Sequence, residues 1–209
     1  MVKSMDQRKK QRLAFKRETA AQQIYFAAAR AINNNHSSIP GMEQIARELG
    51  GSRGILYYYF NSKGELLHKM QVYLHDQIAG VLDPIGEDAS LPPRKKLEKV
   101  IRGYSTVVLE NYDLVRALWT DASMYEQPAR LRARIMIRVS KFYRRLEEII
   151  DEACKSENLK CPDSRVAARL IMALPDSVCR WYEPDRGLTA DQITDYLVQS
   201  VFRGFFTGA

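Results

Sequence analysis

The stretch Met42-Glu-Gln-Ile-Ala-Arg-Glu-Leu-Gly-Gly-Ser-Arg-Gly-Ile-Leu-Tyr-Tyr-Tyr-Phe-Asn-Ser-Lys-Gly-Glu-Leu-Leu67 decides how this chain folds. Met42, Ile45, Ala46 and Leu49 repeat at i, i+3, i+4 and i+7, the spacing of one apolar face on a short helix. Gly50-Gly51 stops that helix. Ser52 stands as N-cap candidate for a second short helix over 53–59, its hydroxyl placed to accept from an orphan amide. Asn61-Ser62 breaks the second helix, and Ser62-Lys63-Gly64-Glu65 fits a capping box opening a longer helix towards Leu82. Two short helices across a glycine turn are the architecture of a helix-turn-helix, here over about 42–60.

Charge points the same way. The 209 residues carry 32 Lys+Arg and 25 Asp+Glu, a net of +7. Residues 1–75 hold 12 basic and 5 acidic side chains (+7), and residues 76–209 hold 20 of each, so the whole excess lies in the first third. A surplus confined to one segment suits a module that meets a polyanion, joined to a neutral body with another task. At 45% hydrophobic and 27% charged residues, the chain is too apolar for a disordered protein. No apolar run approaches the roughly 18–20 residues of a membrane span, and Met1–Lys10 lacks the apolar stretch of a signal peptide. Three cysteines without a CxxC argue against a disulfide framework, so the expectation is a reduced, cytoplasmic protein with no membrane association.

Around the motif the punctuation is helical. Helix-favouring residues run from about Gln11 to Ala31 and end at Asn33-Asn34-Asn35. Residues 83–93, with three prolines, read as a linker. Beyond it, periods near 3.6 predict helices around Leu97–Leu109 and Leu114–Trp119, then a long one from Pro128. Another opens at Cys161-Pro162-Asp163-Ser164 and is expected to kink or break at Pro175; a last one, capped by Thr189, spans 190–206. The expected fold is all-α with about nine helices, divided into a basic flexible arm (1–14), a three-helix DNA-binding domain (15–76) and a helical effector-binding and dimerisation domain (77–209).

On the second helix of the motif, Arg53 can bond bidentately to guanine, Gly54 lets the backbone approach a groove, and Ile55 can touch a thymine methyl. Ser52, Tyr57, Tyr58, Tyr59 and Lys63 can hold phosphate oxygens. Tyrosine-rich helix ends equally fit half-buried packing, and Leu56 and Phe60 read as core.

The joint spacing of these residues resembles the N-terminal domain of TetR-family transcriptional regulators: a helix with Ile45-Ala46, a glycine turn, then S-x-G-x-L-Y-x-x-F over Ser52–Phe60 and S-K-x-E-L-L over Ser62–Leu67. The resemblance covers about residues 15–76. It implies base contacts from Arg53 and Ile55 and phosphate contacts from Ser52, Tyr57, Tyr58 and Lys63. Where such regulators place Thr or Ser before the second helix, this chain has Pro40-Gly41, which loses that contact or passes it to Ser38. Tyr59 replaces a frequent histidine. Arg8, Lys9, Lys10, Arg12, Lys16 and Arg17 offer further phosphate contacts.

For the neutral body the resemblance implies a homodimer reading a palindromic operator in double-stranded DNA and responding to a small-molecule effector of unknown identity. Wide apolar arcs on the last two helices nominate Ala167, Ala168, Ile171, Val198, Val201, Phe202 and Phe205 for the dimer interface. Tyr104, Tyr112, Trp119, Met124, Tyr125, Phe142, Tyr143, Met172 and Trp181 are candidates to line an effector pocket, each equally suited to core. The run Arg180-Trp181-Tyr182-Glu183-Pro184-Asp185-Arg186-Gly187-Leu188-Thr189 resembles the tail of a TetR subset that responds to acyl-CoA thioesters, and also reads as a plain turn. The expected role is a repressor released from its operator by the effector. The alternatives are a helical protein-interaction module or a DNA binder without sequence preference or effector control. Catalysis has little support: His36, His68 and His75 are scattered, no Cys/His cluster suits a metal, and neither G-x-S-x-G nor a P-loop occurs. No cofactor is expected.

Overall fold

The computed structural model describes residues 5–35, 40–119, 127–156, 161, 163–183 and 186–204, with side chains from Phe15 onward. Among these residues every regular element is a helix, nine in all: α1 (Met5–Asn33), α2 (Met42–Glu48), α3 (Arg53–Tyr59), α4 (Lys63–Glu87), α5 (Pro93–Glu110), α6 (Tyr112–Leu118), α7 (Ala129–Ser156), α8 (Ser164–Val178) and α9 (Ala190–Gly204). α1 begins at Met5, so the basic positions expected on a flexible arm lie along its first turns. The chain forms two compact units, Met1–Met70 with Arg116–Pro128 and Gln71–Val115 with Ala129–Ala209.

In the first unit α1 buries Ile24, Ala27, Ala28 and Ala31. Alanine on the contact face lets helices approach closely, and α2 packs there with Met42, Ile45 and Ala46 buried. An exposed Arg30–Glu48 pair at 3.0 Å also joins α1 to α2, a contact of about 0–1 kcal/mol beside the buried apolar face. The turn after α2 is a Schellman motif. Gly50 takes φ = 71°, its amide donates to the Arg47 carbonyl at 3.0 Å, and the Gly51 amide donates to the Ala46 carbonyl at 2.9 Å. Only glycine adopts that left-handed conformation without strain, so Gly50 sets the angle at which the chain enters α3. The box at Ser62 is present in shifted form. Ser62 Oγ accepts from the Glu65 amide at 3.1 Å, while the Glu65 carboxylate reaches one residue further back, to the Asn61 amide at 2.9 Å. The Asn61 amide, with that residue's side chain, holds the Glu65 carboxyl below its ordinary pKa.

In the second unit α5 packs against α7, α8 and α9, and Leu109, Val178, Ile193 and Leu197 form one buried cluster. A Cβ on Gly103 would fall 2.7 Å from Val81 Cγ1, so this glycine permits the close approach of α4 and α5. At two prolines the helix continues rather than breaks. α4 does not end at Leu82 but runs through Pro84 to Glu87, and α8 runs through Pro175 to Val178. Proline removes one intrahelical bond, and tertiary contacts offset that loss at both places. Past Pro84 the Gly86 carbonyl accepts from Lys96 Nζ at 3.2 Å and Arg145 Nη2 at 2.6 Å, two cations on a helix C-terminus. Past Pro175, Val178 inserts into the buried cluster. The expected starts of α8 and α9 hold: Asp163 Oδ1 accepts from the Arg165 and Val166 amides at 2.9 and 3.3 Å, and Thr189 and Gln192 cap each other reciprocally at 3.2 and 2.9 Å.

Candidate nucleic-acid interface

α3 is anchored by very little of itself. Leu56 is fully buried, and the following Phe60 is buried with its ring 5.8 Å from that of Tyr25 on α1. The other face carries Arg53, Gly54, Ile55, Tyr57 and Tyr58 into solvent, with Ile55 44% and Tyr58 72% exposed. Tyr59 is half-buried and meets the Tyr58 ring edge-on at 5.1 Å. A seven-residue helix that spends one residue on its own core and exposes an isoleucine and two tyrosines side by side has the form of a contact surface.

The Arg53 guanidinium donates to the Tyr57 hydroxyl at 3.2 Å and lies 5.1 Å from the centre of that ring. The Tyr57 hydroxyl also raises the Arg53 pKa further, so the group stays charged and is held along the helix. Ser52 occupies the N-cap position, but its hydroxyl makes no capping bond; the Ile55 amide bonds the Ser52 carbonyl at 3.0 Å. The expected side-chain cap is thus absent, while φ = −90° and ψ = 154° are the extended geometry of an N-cap residue. A Cβ on Gly54 would meet only Ser52 Oγ, at an ordinary 3.7 Å, so the protein itself leaves room for a side chain there. Lys63 lies half-buried in the first turn of α4. Gly41 is the N-cap of α2, its amide donating to Gln44 Oε1 at 2.9 Å in place of the side-chain cap that a Ser or Thr would make. Ser38 lies outside the described residues.

The nine effector candidates separate. Tyr104 (α5), Phe142 and Tyr143 (α7) come together, with Tyr104 stacked on Phe142 at 6.0 Å and Phe142 edge-on to Tyr143 at 5.5 Å. Met172, fully buried, lies on α8 between Arg169 and Asp176 at helical spacing. Tyr112 pairs instead with Tyr182 at 6.1 Å, and Trp119 and Trp181 are exposed. Met124 and Tyr125 lie outside the described residues. Asp176, absent from the sequence expectation, accepts from the Tyr104 hydroxyl at 2.9 Å. Burial raises its carboxyl pKa to about 8. Its signal was present in the sequence: Arg169, Met172 and Asp176 recur at i, i+3 and i+7.

Residues 41–70 match the family described as "Bacterial regulatory proteins, tetR family", and residues 90–205 match "Tetracyclin repressor-like, C-terminal domain". The chain belongs to the TetR family. This makes it a DNA-binding transcriptional regulator with an N-terminal helix-turn-helix, as the motif over 42–60 implied. A curated relative is the nucleoid occlusion factor SlmA of Aliivibrio fischeri, 26% identical over 144 residues that make up 68% of this chain and 72% of SlmA. Among solved folds, the ketosteroid transcriptional regulator KstR2 of Mycobacterium tuberculosis superposes with a TM-score of 0.77 at 18% identity, covering 92% of this chain and 95% of that one. AibR in complex with isovaleryl coenzyme A and operator DNA gives 0.73 at 24% identity, covering 88% and 98%.

In this TetR-family chain five of the seven residues nominated for a dimer contact face inward. Ala167, Ala168, Ile171, Val198 and Val201 are buried within the protomer. Phe202 is half-buried with the Arg94 guanidinium 4.7 Å over its ring, and Phe205 lies outside the described residues. The apolar arc was real, but its most apolar side supplies the chain's own core. The apolar residues that α8 and α9 leave exposed are Val166, Leu170 (48%), Ala173 and Tyr196, among charged neighbours such as Arg165, Arg169 and Asp195. Among the described residues no helix is long and apolar enough to cross a membrane, and no cluster of three His, Cys, Asp or Glu side chains is placed to hold a metal.

Proposed function

We propose that the protein is a repressor that binds a palindromic operator as a homodimer through α3 and leaves it when a small-molecule effector binds the second unit. The exposed face of α3, with Arg53 held against Tyr57, carries this reading. Arg53 and Ile55 read base edges, Gly54 allows the backbone close, and Ser52, Tyr57, Tyr58, Tyr59 and Lys63 hold phosphates, with Gly41 at the start of α2. A two-fold pair of recognition helices matches a two-fold operator, and the exposed apolar residues of α8 and α9 supply the pairing surface. The aromatic group around Tyr104 is the effector site. An acyl-CoA is the first effector to test, since Arg180–Thr189 resembles the tail of acyl-CoA-responsive regulators and AibR, of the same fold, binds isovaleryl coenzyme A.

The deciding experiment is footprinting on the DNA upstream of the protein's own gene at fixed salt, followed by titration of acyl-CoAs of increasing chain length. A protected palindrome bound far more tightly than random duplex, and released by one of them, is the expected result. Binding no tighter than to random duplex would overturn the operator reading. A specific complex that no acyl-CoA dissociates would remove that effector class alone.

A further inference from the structure

Asp176 is hard to explain as a packing residue. It is half-buried beside aromatic rings, Tyr104 is its one hydrogen-bond partner among the described residues, and no cation there pairs with it. A carboxyl in such a place costs more in desolvation than one neutral hydrogen bond returns. The same surroundings make the neutral acid the stable form, and a neutral acid has an O–H to donate. Tyr143, within reach of the Asp176 charge, presents a second hydroxyl, and Phe142 closes the ring between Tyr104 and Tyr143. The Arg169 guanidinium lies 5.1 Å over the Tyr143 ring, a positive charge that disfavours a cationic guest.

We propose that Asp176, supported by Tyr104 and joined by Tyr143, is a hydrogen-bond-donating receptor for the carbonyl oxygen of an uncharged, apolar-bodied group such as a ketone, ester or thioester. The proposal rests on the reading of this aromatic group as the effector site, and it names the chemistry that the site selects. A protonated carboxylic acid beside tyrosine hydroxyls, in apolar surroundings, is a strong arrangement for an oxygen that carries partial negative charge. Tyr104 and Tyr143 are themselves raised above the ordinary tyrosine value by burial, so both keep their protons while Asp176 titrates. The remaining groups near the acid are Arg169 on its own helix and the Cys179 thiol near Tyr104.

The test compares benzophenone with diphenylmethane, which have nearly the same shape with and without the carbonyl, by NMR titration of the full-length protein from pH 6 to pH 9. The expected result is a clear preference for benzophenone at pH 6–7, with its affinity falling about tenfold by pH 9 as the acid ionises near 8. Asp176→Asn keeps an N–H donor but cannot titrate, so it should bind benzophenone with no pH step, and Asp176→Leu should lose the pH step and most of the preference, keeping only what the tyrosine hydroxyls supply. Equal binding of the two compounds to the unaltered protein, or an unchanged pH step in Asp176→Asn, would overturn the receptor while leaving an effector site. Binding of neither compound would overturn the receptor and count against the effector reading as well.

Discussion

The Arg53 guanidinium is joined to Tyr57 one helical turn away, by a hydrogen bond of 3.2 Å and by its place 5.1 Å over the ring. An arginine held along its helix before DNA arrives loses less side-chain entropy on binding than one that must be ordered by the complex. Arg53→Ala is therefore expected to weaken operator binding about tenfold to hundredfold and to relax preference at one base pair. Tyr57→Phe keeps the ring contact and loses the hydrogen bond, so it should cost only a few-fold with preference intact. Binding to single-base operator variants at fixed salt checks both, and identical base preference in Arg53→Ala would remove its assigned contact.

Gly54→Ala separates stability from DNA binding. The added methyl meets nothing closer than 3.7 Å within the protein, and alanine favours helix over glycine by about 1 kcal/mol. The melting temperature should hold or rise while operator affinity falls, because the methyl projects from the face that approaches DNA. Unchanged affinity would show that the α3 backbone stays clear of the groove.

The exposed and buried sides of α8 should answer differently to substitution. Leu170→Glu adds charge to an exposed position, so sedimentation should report a monomer whose melting is little altered. Ile171→Ala opens a hole in a fully buried position and should cost about 2–5 kcal/mol in denaturant unfolding. A Leu170→Glu protein that remains dimeric would place the interface elsewhere.

Asp163 gives α8 an acid-sensitive start. Bonds from Arg165 and from the Arg165 and Val166 amides lower its carboxyl pKa from 3.8 to about 2. A lowered folded-state value stabilises the fold above the unfolded value and ceases to do so as pH falls through the folded one. The contribution is thus complete above about pH 4 and lost towards pH 2. Asp163→Asn should flatten that part of the acid-unfolding curve.

Asp176 acts with the opposite sign. Its folded-state pKa is raised from 3.8 to about 8, so the folded protein holds this proton more tightly than the unfolded chain. Stability should decline as pH rises from about 4 to about 8 on this account. Asp176→Asn should remove that decline and be the more stable protein at pH 8. Parallel pH curves for the two proteins would mean that the carboxyl is better solvated than its surroundings imply.

Much of this protein is determined by local sequence. Gly50 ends α2 because its own φ of 71° suits no other residue well, and Ser62, Asp163 and Thr189 start helices by bonds spanning two or three residues. Nearest-neighbour chemistry of that kind is legible without a fold, and so was the exposed face of α3, where Leu56 and Phe60 separate from Arg53, Gly54 and Ile55 by helical period alone. Tertiary structure decided the rest. α4 and α8 continue past Pro84 and Pro175 because groups distant in sequence, Lys96 and Arg145 in one case and Leu109, Ile193 and Leu197 in the other, offset the missing backbone bond. The same holds for which side of α8 belongs to the protomer's core, and for Asp176, whose raised carboxyl comes from burial, with its hydrogen-bond partner Tyr104 72 positions away. A helical period shows that two faces differ, while only packing in three dimensions selects what each face meets.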